Sequence, residues 1–297
     1  AWKVNNYDGR GRGIITLREG MINSVNGVYA RLVLDVGPSK VVDAAYRLGI
    51  TSELDPLPSI ALGGLRVGVS PFEMANAYAT FANLGVHMPG HGVARAIGPD
   101  GETVFDDKDI KGVRAIDAGI AYTLNDVLQD VVERGTGRRA QIGRPLAGKT
   151  GTSQEYHDAW FIGYTPDLVT AIWVGYRKAQ ISMRNVRGIT VVGGSFPSQI
   201  FRSFMTRALA GVPEHEFEVP EQEFVTVVLG FRRDCVARLG QSGVEVSMPA
   251  SLIPAKDCPP YTPKQSTPKP SASPSAGPTG PAPEPEPTLP VPEPTPT

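Results

Sequence analysis

The sequence has almost no excess of either charge and no long hydrophobic run, and each absence excludes a class of protein. Its 297 residues carry 29 Lys and Arg against 30 Asp and Glu, a formal net charge of -1, which argues against a nucleic-acid-binding protein. No apolar run reaches the roughly 18 residues of a membrane span. The first residues, AWKVNNYDGR, lack the basic and then apolar plan of a signal peptide. A membrane anchor, if the protein has one, lies outside this chain.

Metal-binding and disulfide-forming residues are also scarce. The two cysteines, Cys235 and Cys258, are too few for a disulfide scaffold or a four-ligand zinc site, although they could form one bridge outside the cytoplasm. His87 and His91 are four residues apart, but the Pro-Gly pair between them excludes a helical metal pair, and no third ligand is evident. We therefore predict no metal and no cofactor.

Proline, by contrast, is concentrated at one end. Residues 262–297 hold 13 of the 28 prolines, and Leu289 and Val291 are their only large aliphatic residues. Such a segment cannot bury a core, so it is predicted to be a disordered tail with polyproline II character. The folded part therefore ends near residue 261.

Helices are predicted where capping residues precede apolar residues at helical spacing. The predicted segments are Thr16 to Gly37, with a polar interruption at Asn23 to Gly27, then Ser70 to Gly85, Asp117 to Gly135, and Pro197 to Ala210. Between the last two, short runs rich in β-branched and aromatic residues predict strands. Pro166 presets a turn, so residues 158–176 are predicted to form an antiparallel hairpin. This order indicates an α+β fold with an antiparallel sheet.

Residues 143–150, GRPLAGKT, match the GxxxxGK[ST] phosphate-loop motif. Such a loop needs a helix after it, because the helix N-terminus and successive backbone N–H groups hold the phosphates. Thr150-Gly-Thr-Ser153 is a poor helix start, so we predict no nucleotide binding. As a strand, the segment places Lys149 and Gly151 on one face, with the two threonines on the other. A bare Gly151 also lets a substrate backbone approach as an added strand.

Two short motifs, Ser24-Val-Asn26 and Lys149-Thr-Gly151, match two of the three signatures shared by penicillin-binding proteins and serine β-lactamases. Over nearly all of residues 2–210 the sequence closely resembles the transpeptidase domain of class A, bifunctional penicillin-binding proteins. Further matching phrases follow in series: NYDG at 6–9, SPFEMANAY at 70–78, RGTG at 134–137, AGKTGTS at 147–153, DAWFIGYTPD at 158–167, VGY at 174–176 and GG at 193–194.

The resemblance implies a five-stranded antiparallel sheet flanked by helices, incomplete at its N-terminus. It also implies a peptidoglycan D,D-transpeptidase, in which a serine attacks the D-Ala-D-Ala bond of a stem peptide and the amine of a second stem takes the acyl group. Stem peptides are then the expected partners, and β-lactams the expected covalent inhibitors.

Residue roles follow from the same resemblance. Ser24 is expected to relay protons near the nucleophile, and Lys149 to supply positive charge and support proton transfer. The expected substrate-binding residues are Asn26 for the substrate amide, Thr150 and Thr152 for the terminal carboxylate, and Gly151 between them. The Thr152 N–H is expected to donate to the oxyanion, a contact typically worth about 3 kcal/mol.

The third signature, Ser-x-x-Lys with the nucleophile, is missing upstream of Ser24. Its one literal match, Ser266-Thr-Pro-Lys269, lies in the proline-rich tail, where proline prevents the required helical turn. Since family members carry the nucleophile upstream of Ser-x-Asn, we expect this chain to be the C-terminal portion of a longer protein. The missing part is expected to hold the nucleophile, a glycosyltransferase domain and a membrane anchor, which places the chain on the extracytoplasmic face of the bacterial plasma membrane.

The predicted domains are a transpeptidase portion at 1–211, a small extension of unknown role at 212–261 and the tail at 262–297. Three alternatives stay open. The nearest is a serine β-lactamase or D,D-carboxypeptidase, which passes the acyl group to water. The second is a non-catalytic penicillin-binding-like module that binds peptidoglycan or divisome proteins. The phosphate-loop NTPase ranks last.

Overall fold

The computed structural model describes residues 2–221, 224–230, 235–237, 243–250 and 253–258. The helices in these ranges are α1 (Leu17–Ile22), α2 (Asn26–Val36), α3 (Pro38–Arg47), α4 (Pro71–Ala82), α5 (Ala118–Glu133) and α6 (Phe196–Ala208). The strands are β1 (Val86–His87), β2 (Arg95–Ile97), β3 (Thr103–Asp106), β4 (Val113–Arg114), β5 (Ala147–Thr152), β6 (Asp158–Tyr164), β7 (Val169–Gly175), β8 (Phe224–Gly230) and β9 (Gly243–Pro249). No helix in these ranges is long and apolar enough to cross a membrane.

The predicted starts of α1, α4 and α5 are confirmed, and each is stabilised by its capping side chain. The helix predicted from Pro197 begins one residue earlier, at Phe196, without a side-chain cap. Thr16 Oγ1 accepts a hydrogen bond from the Glu19 N–H at 3.1 Å. Ser70 caps α4 in a complete capping box, and Asp117 caps α5. Each cap satisfies backbone donors that the first helical turn leaves unpaired.

Glu73, the second half of the α4 capping box, also anchors this helix to the preceding loop. Its burial opposes ionisation, but hydrogen bonds from the backbone N–H groups of Ser70, Thr51 and Ser52 hold the pKa of its carboxyl well below the ordinary range. The ionised carboxylate therefore fixes the N-terminus of α4 against residues 51–52.

The central sheet is antiparallel, with strand order β5-β6-β7. Lys149 of β5 lies opposite Ile162 of β6, and Asp158 of β6 lies opposite Gly175 of β7. The predicted hairpin at 158–176 and the α+β class are both confirmed. The described residues supply three strands of this sheet, whereas the resemblance implied five.

Strand β5 forms one edge, so one side of its backbone has no neighbouring strand among the described residues.

Helices cover both faces of the central sheet. Phe161 packs against Phe201 and Met205 of α6 in one buried cluster. Tyr164, which points to the other face because strand side chains alternate, packs in a second cluster with Leu128 and Val131 of α5. The sheet is therefore enclosed between two apolar layers, and β5 is held firmly at its edge.

A β8–β9 hairpin and one disulfide form the C-terminal part of the described chain. Cys235 and Cys258 are bonded to each other, so the bridge that the sequence left open is present. Phe217, beyond residue 211, packs against Tyr164 with ring centroids 5.7 Å apart. The boundary at 211 stays a prediction, and the predicted tail at 262–297 lies outside the described residues.

Candidate active site

The break between α1 and α2 faces the middle of strand β5. Lys149 Nζ donates hydrogen bonds to Ser24 Oγ at 2.8 Å and to the Thr150 carbonyl oxygen at 2.9 Å. The structure thus brings together two residues 125 positions apart in the sequence. Since Lys149 and Thr150 lie within a strand, the segment does not form the strand-loop-helix geometry of a phosphate loop.

Ser24 adopts a backbone conformation that normally belongs to glycine. Its φ angle is 51°, in the left-handed region. Its N–H donates to the Met21 carbonyl, while the Val25 N–H donates to the Gly20 carbonyl. This pair of bonds is the Schellman ending of a helix, in which the left-handed position is usually glycine. A serine there is strained, and strained residues cluster at functional sites.

Lys149 is a half-buried lysine that no carboxylate pairs with anywhere in the described part of the chain. Desolvation by burial lowers its pKa to about 8. At neutral pH the side chain is therefore still a positively charged ammonium. It loses its proton far more readily than an exposed lysine, whose pKa is about 10.4, so it can both donate hydrogen bonds and exchange a proton.

The predicted threonines lie on the opposite face of β5 from Lys149. Thr150 Oγ1 is 2.7 Å from Thr136 Oγ1, and Thr152 Oγ1 accepts from the Gly193 N–H at 3.1 Å. Gly193 must be glycine, because a Cβ atom there would lie 2.3 Å from the Trp160 carbonyl oxygen. The register therefore separates Lys149 from the two hydroxyls, as the strand pattern predicted.

Asn26 and Gly151 complete the predicted set. Asn26 is the first residue of α2, and its Nδ2 donates to the Asn5 carbonyl oxygen at 2.8 Å. Its Oδ1 has no hydrogen-bond partner among the described residues and remains an acceptor. At Gly151 a Cβ atom would lie 3.1 Å from the Trp160 Cβ, so a side chain would crowd the neighbouring strand.

Residues 134–136, which we call the strap, join the two halves of the site. The Thr136 N–H donates to the Ile22 carbonyl at 3.2 Å, two residues before Ser24, while the Thr136 hydroxyl contacts Thr150. At Gly135 a Cβ atom would lie 2.4 Å from the same Ile22 carbonyl oxygen. The strap therefore fixes the distance between the Ser24 turn and strand β5.

Arg134 fastens the strap to both neighbouring helices. Its guanidinium donates to Glu19 of α1 at 2.8 Å and makes two bonds to Asp130 of α5, each at 3.0 Å. In the sequence, RGTG is only a phrase of the family resemblance, and its Arg134 is predicted to lie at a solvated helix end. Thr136 and Arg134 thus lie beside the candidate site, and no motif assigned either of them a role in it.

Comparison with known proteins places the chain among related sequences. The family model for the penicillin binding protein transpeptidase domain matches residues 1–185. Penicillin-binding protein 1A of Mycolicibacterium smegmatis is 32% identical over 242 residues, covering 74% of this chain and 31% of the relative. Penicillin-binding protein 1A of Neisseria cinerea is 36% identical over 227 residues, which cover 74% of this chain and 28% of that relative. The chain thus spans about a third of the length of these relatives.

A solved structure agrees with the sequence relatives. The PonA1 protein from Mycobacterium tuberculosis in complex with penicillin V superposes with a TM-score of 0.67 at 31% identity, covering 74% of this chain and 63% of that one.

Proposed function

The chain belongs to the penicillin-binding protein transpeptidase family, and from this premise we propose that it supplies one wall of a peptidoglycan D,D-transpeptidase active site that β-lactams acylate. The observation that carries the proposal is the 2.8 Å hydrogen bond from Lys149 Nζ to Ser24 Oγ. The penicillin V complex of the similar PonA1 structure supports the β-lactam part.

The proposed chemistry follows from the direction of that hydrogen bond. Because Ser24 Oγ accepts from Lys149, the hydrogen of the Ser24 hydroxyl is free to point elsewhere. It can pass to the leaving amine while the ammonium of Lys149 returns a proton to Ser24 Oγ. A pKa of about 8 makes this transfer accessible near neutral pH, where a general acid works best.

Substrate binding is proposed along the open edge of β5. An extended stem peptide can add to this edge as a further strand. If the Thr136 hydroxyl donates to Thr150 Oγ1, the hydrogen of Thr150 is free for the terminal carboxylate, with Thr152 beside it. The free Oδ1 of Asn26 is the acceptor proposed for the substrate amide.

The rest of the enzyme is proposed to lie upstream of Ala1 in the same polypeptide. This part would hold the Ser-x-x-Lys nucleophile, a glycosyltransferase domain and a membrane anchor on the extracytoplasmic side. The relatives, about three times as long as the matched region, support this proposal. Within the chain, we propose the same divisions at residues 211 and 261.

The experiment that tests the proposal is covalent labelling. The protein, expressed with the sequence that precedes Ala1, is exposed to a fluorescent penicillin and denatured, and the label is located by peptide mass. We expect the label on an upstream serine of a Ser-x-x-Lys motif. A folded protein that takes no label would contradict the proposal and favour the non-catalytic module. Rapid release of the label to water would favour the β-lactamase or carboxypeptidase.

Thr136→Val tests the strap. Valine keeps the shape of threonine but removes the hydroxyl, so Thr150 loses the partner that orients it. Since one hydrogen bond contributes about 0.5–1.5 kcal/mol, we expect the acylation rate constant to fall by up to about tenfold. Thr136→Ser, which keeps the hydroxyl, is the matched control and should stay near the native rate. Equal rates for the valine variant and the native protein would disprove this role.

A further inference from the structure

An open groove of about 620 Å³ lies between α6 and the short turn Arg138–Ala140 that follows the strap. Its walls present guanidinium, amide and hydroxyl groups. The lining residues are Arg139, Gln199, Arg202, Ser203, Thr206 and Arg207. Three arginines thus converge on one groove, and the residues that line it include no carboxylate.

The arginines of this groove carry charges that the chain does not neutralise. Within the described ranges none of the three forms an ion pair. Arg139 Nη1 lies 3.5 Å from the Gly194 carbonyl oxygen, and Arg207 Nε donates to the Ser203 carbonyl of its own helix at 3.1 Å. Most of their N–H donors are therefore free to bind a ligand. Three unopposed cations in a groove create a local positive potential although the whole chain has a net charge of only -1.

We propose that this groove, which we call the arginine groove, binds the phosphate groups of an anionic ligand carrying two or more negative charges. A single carboxylate would leave most of the positive charge uncompensated. Guanidinium groups bind phosphate oxygens through paired hydrogen bonds. The hydroxyls of Ser203 and Thr206 and the amide of Gln199 add neutral donors.

The arrangement of the donors favours phosphate over carboxylate. Arg139 lies on the turn, whereas Arg202 and Arg207 lie on α6, so the donors reach the groove from two elements of the fold. A tetrahedral phosphate accepts hydrogen bonds in several directions, while a carboxylate accepts them in its own plane. A groove of this volume accommodates a chain of linked phosphates or several lipid headgroups.

The arginine groove lies next to the candidate active site but is not part of it. Gly194, which Arg139 approaches, also packs against the strap, since a Cβ atom there would lie 2.8 Å from the Thr136 carbonyl oxygen. Neither Arg202 nor Arg207 contacts the strap, Ser24 or Lys149 through any hydrogen bond or ion pair. Loss of these two arginines should therefore leave acylation by penicillin unchanged.

Binding of tripolyphosphate, measured by calorimetry on the protein expressed with its upstream sequence, tests the proposal. In Arg202→Gln/Arg207→Gln two of the three guanidiniums are gone, so we expect the dissociation constant to rise at least tenfold. The matched control is Arg177→Gln/Lys178→Gln, which removes two exposed cations from the loop after β7. It should stay within about twofold of the native value, because neither residue lines the groove and salt screens exposed charges that do not contact the ligand.

Two further binding measurements show whether the groove prefers phosphate to carboxylate, and whether the phosphate belongs to a soluble molecule or to a lipid. Citrate, with three carboxylates, should bind more weakly than tripolyphosphate. Vesicles containing phosphatidylglycerol, compared with phosphatidylcholine alone, show whether lipid headgroups also bind through the groove. Loss of tripolyphosphate binding alone in the groove variant indicates a soluble phosphate ligand, and loss of vesicle binding as well indicates the membrane surface.

Three results would overturn the proposal: no tripolyphosphate binding by the native protein at millimolar concentrations, equal binding by the groove and control variants, or citrate binding as tight as that of tripolyphosphate. Penicillin labelling of the groove variant shows that it is folded and keeps this test separate from that of the transpeptidase.

Discussion

Lys149→Ala is expected to slow acylation by penicillin on the order of 10²–10⁴-fold, the usual contribution of a positioned proton-transfer group. The substitution removes the donor to Ser24 Oγ and the positive charge beside it. It should not unfold the protein, because Lys149 has no carboxylate partner in the described ranges that would be left buried and unpaired. The measurement is the second-order labelling rate with a fluorescent penicillin on the protein expressed with its upstream sequence, beside thermal unfolding.

The pH dependence of the acylation rate shows whether the positive charge of Lys149, rather than the space that its side chain fills, speeds the reaction. Burial lowers the lysine pKa to about 8, so the ammonium is present below pH 8 and is lost as the pH rises through that value. Acylation by the native protein should fall on the alkaline side with a midpoint near 8. In Lys149→Arg the guanidinium stays charged over the whole of this pH range, so this limb should disappear.

Two results would contradict the role of Lys149. One is an alkaline limb that is unchanged in Lys149→Arg, and the other is a native acylation rate in Lys149→Ala. Lys178→Ala removes an exposed lysine after β7 and serves as the control for a general effect of lost charge. It should leave both the rate and its pH profile as they are.

Local chemistry explains which parts of the fold the sequence predicted. Caps at Thr16, Ser70 and Asp117 act within three or four residues, so the helix starts could be identified without knowing the fold. Helix α3 was missed because Gly37 was interpreted only as a stop. The proline at position 38, which suits the first turn of a helix, begins α3 directly after it. The paired strands of two to four residues between 86 and 114 are too short to show a strand period.

The candidate site was predictable only as far as motifs reach. Ser-x-Asn and Lys-Thr-Gly identified Ser24 and Lys149, and the structure brings these two together. The Thr136–Thr150 contact depends on the path of the strap between α5 and β5, which no periodicity encodes. The lowered pKa of Lys149 likewise depends on burial, which arises only when the folded chain packs around this side chain. Motifs therefore identify the reacting groups, while the groups that orient them become evident only in the folded chain.

Ser24→Gly and Ser24→Ala form a matched pair that separates the hydroxyl of Ser24 from its backbone. Both remove the group that accepts from Lys149, so both should slow acylation by about 10²-fold or more, as for other proton-transfer groups. They differ in the backbone, because the φ angle of 51° suits glycine and strains alanine. Ser24→Gly should therefore be more stable than Ser24→Ala by about 1 kcal/mol.

Chemical denaturation of the two Ser24 variants measures this difference, and penicillin labelling measures the rates. If Ser24→Gly acylated at the native rate, the hydroxyl would have no part in the chemistry, and the strained turn would serve the fold alone. Equal stabilities of the two variants would instead show that the left-handed backbone costs nothing, which would remove strain as an indicator of function here. Slow acylation by both variants, with the glycine variant more stable, is the result expected if serine is kept at a glycine position for its hydroxyl.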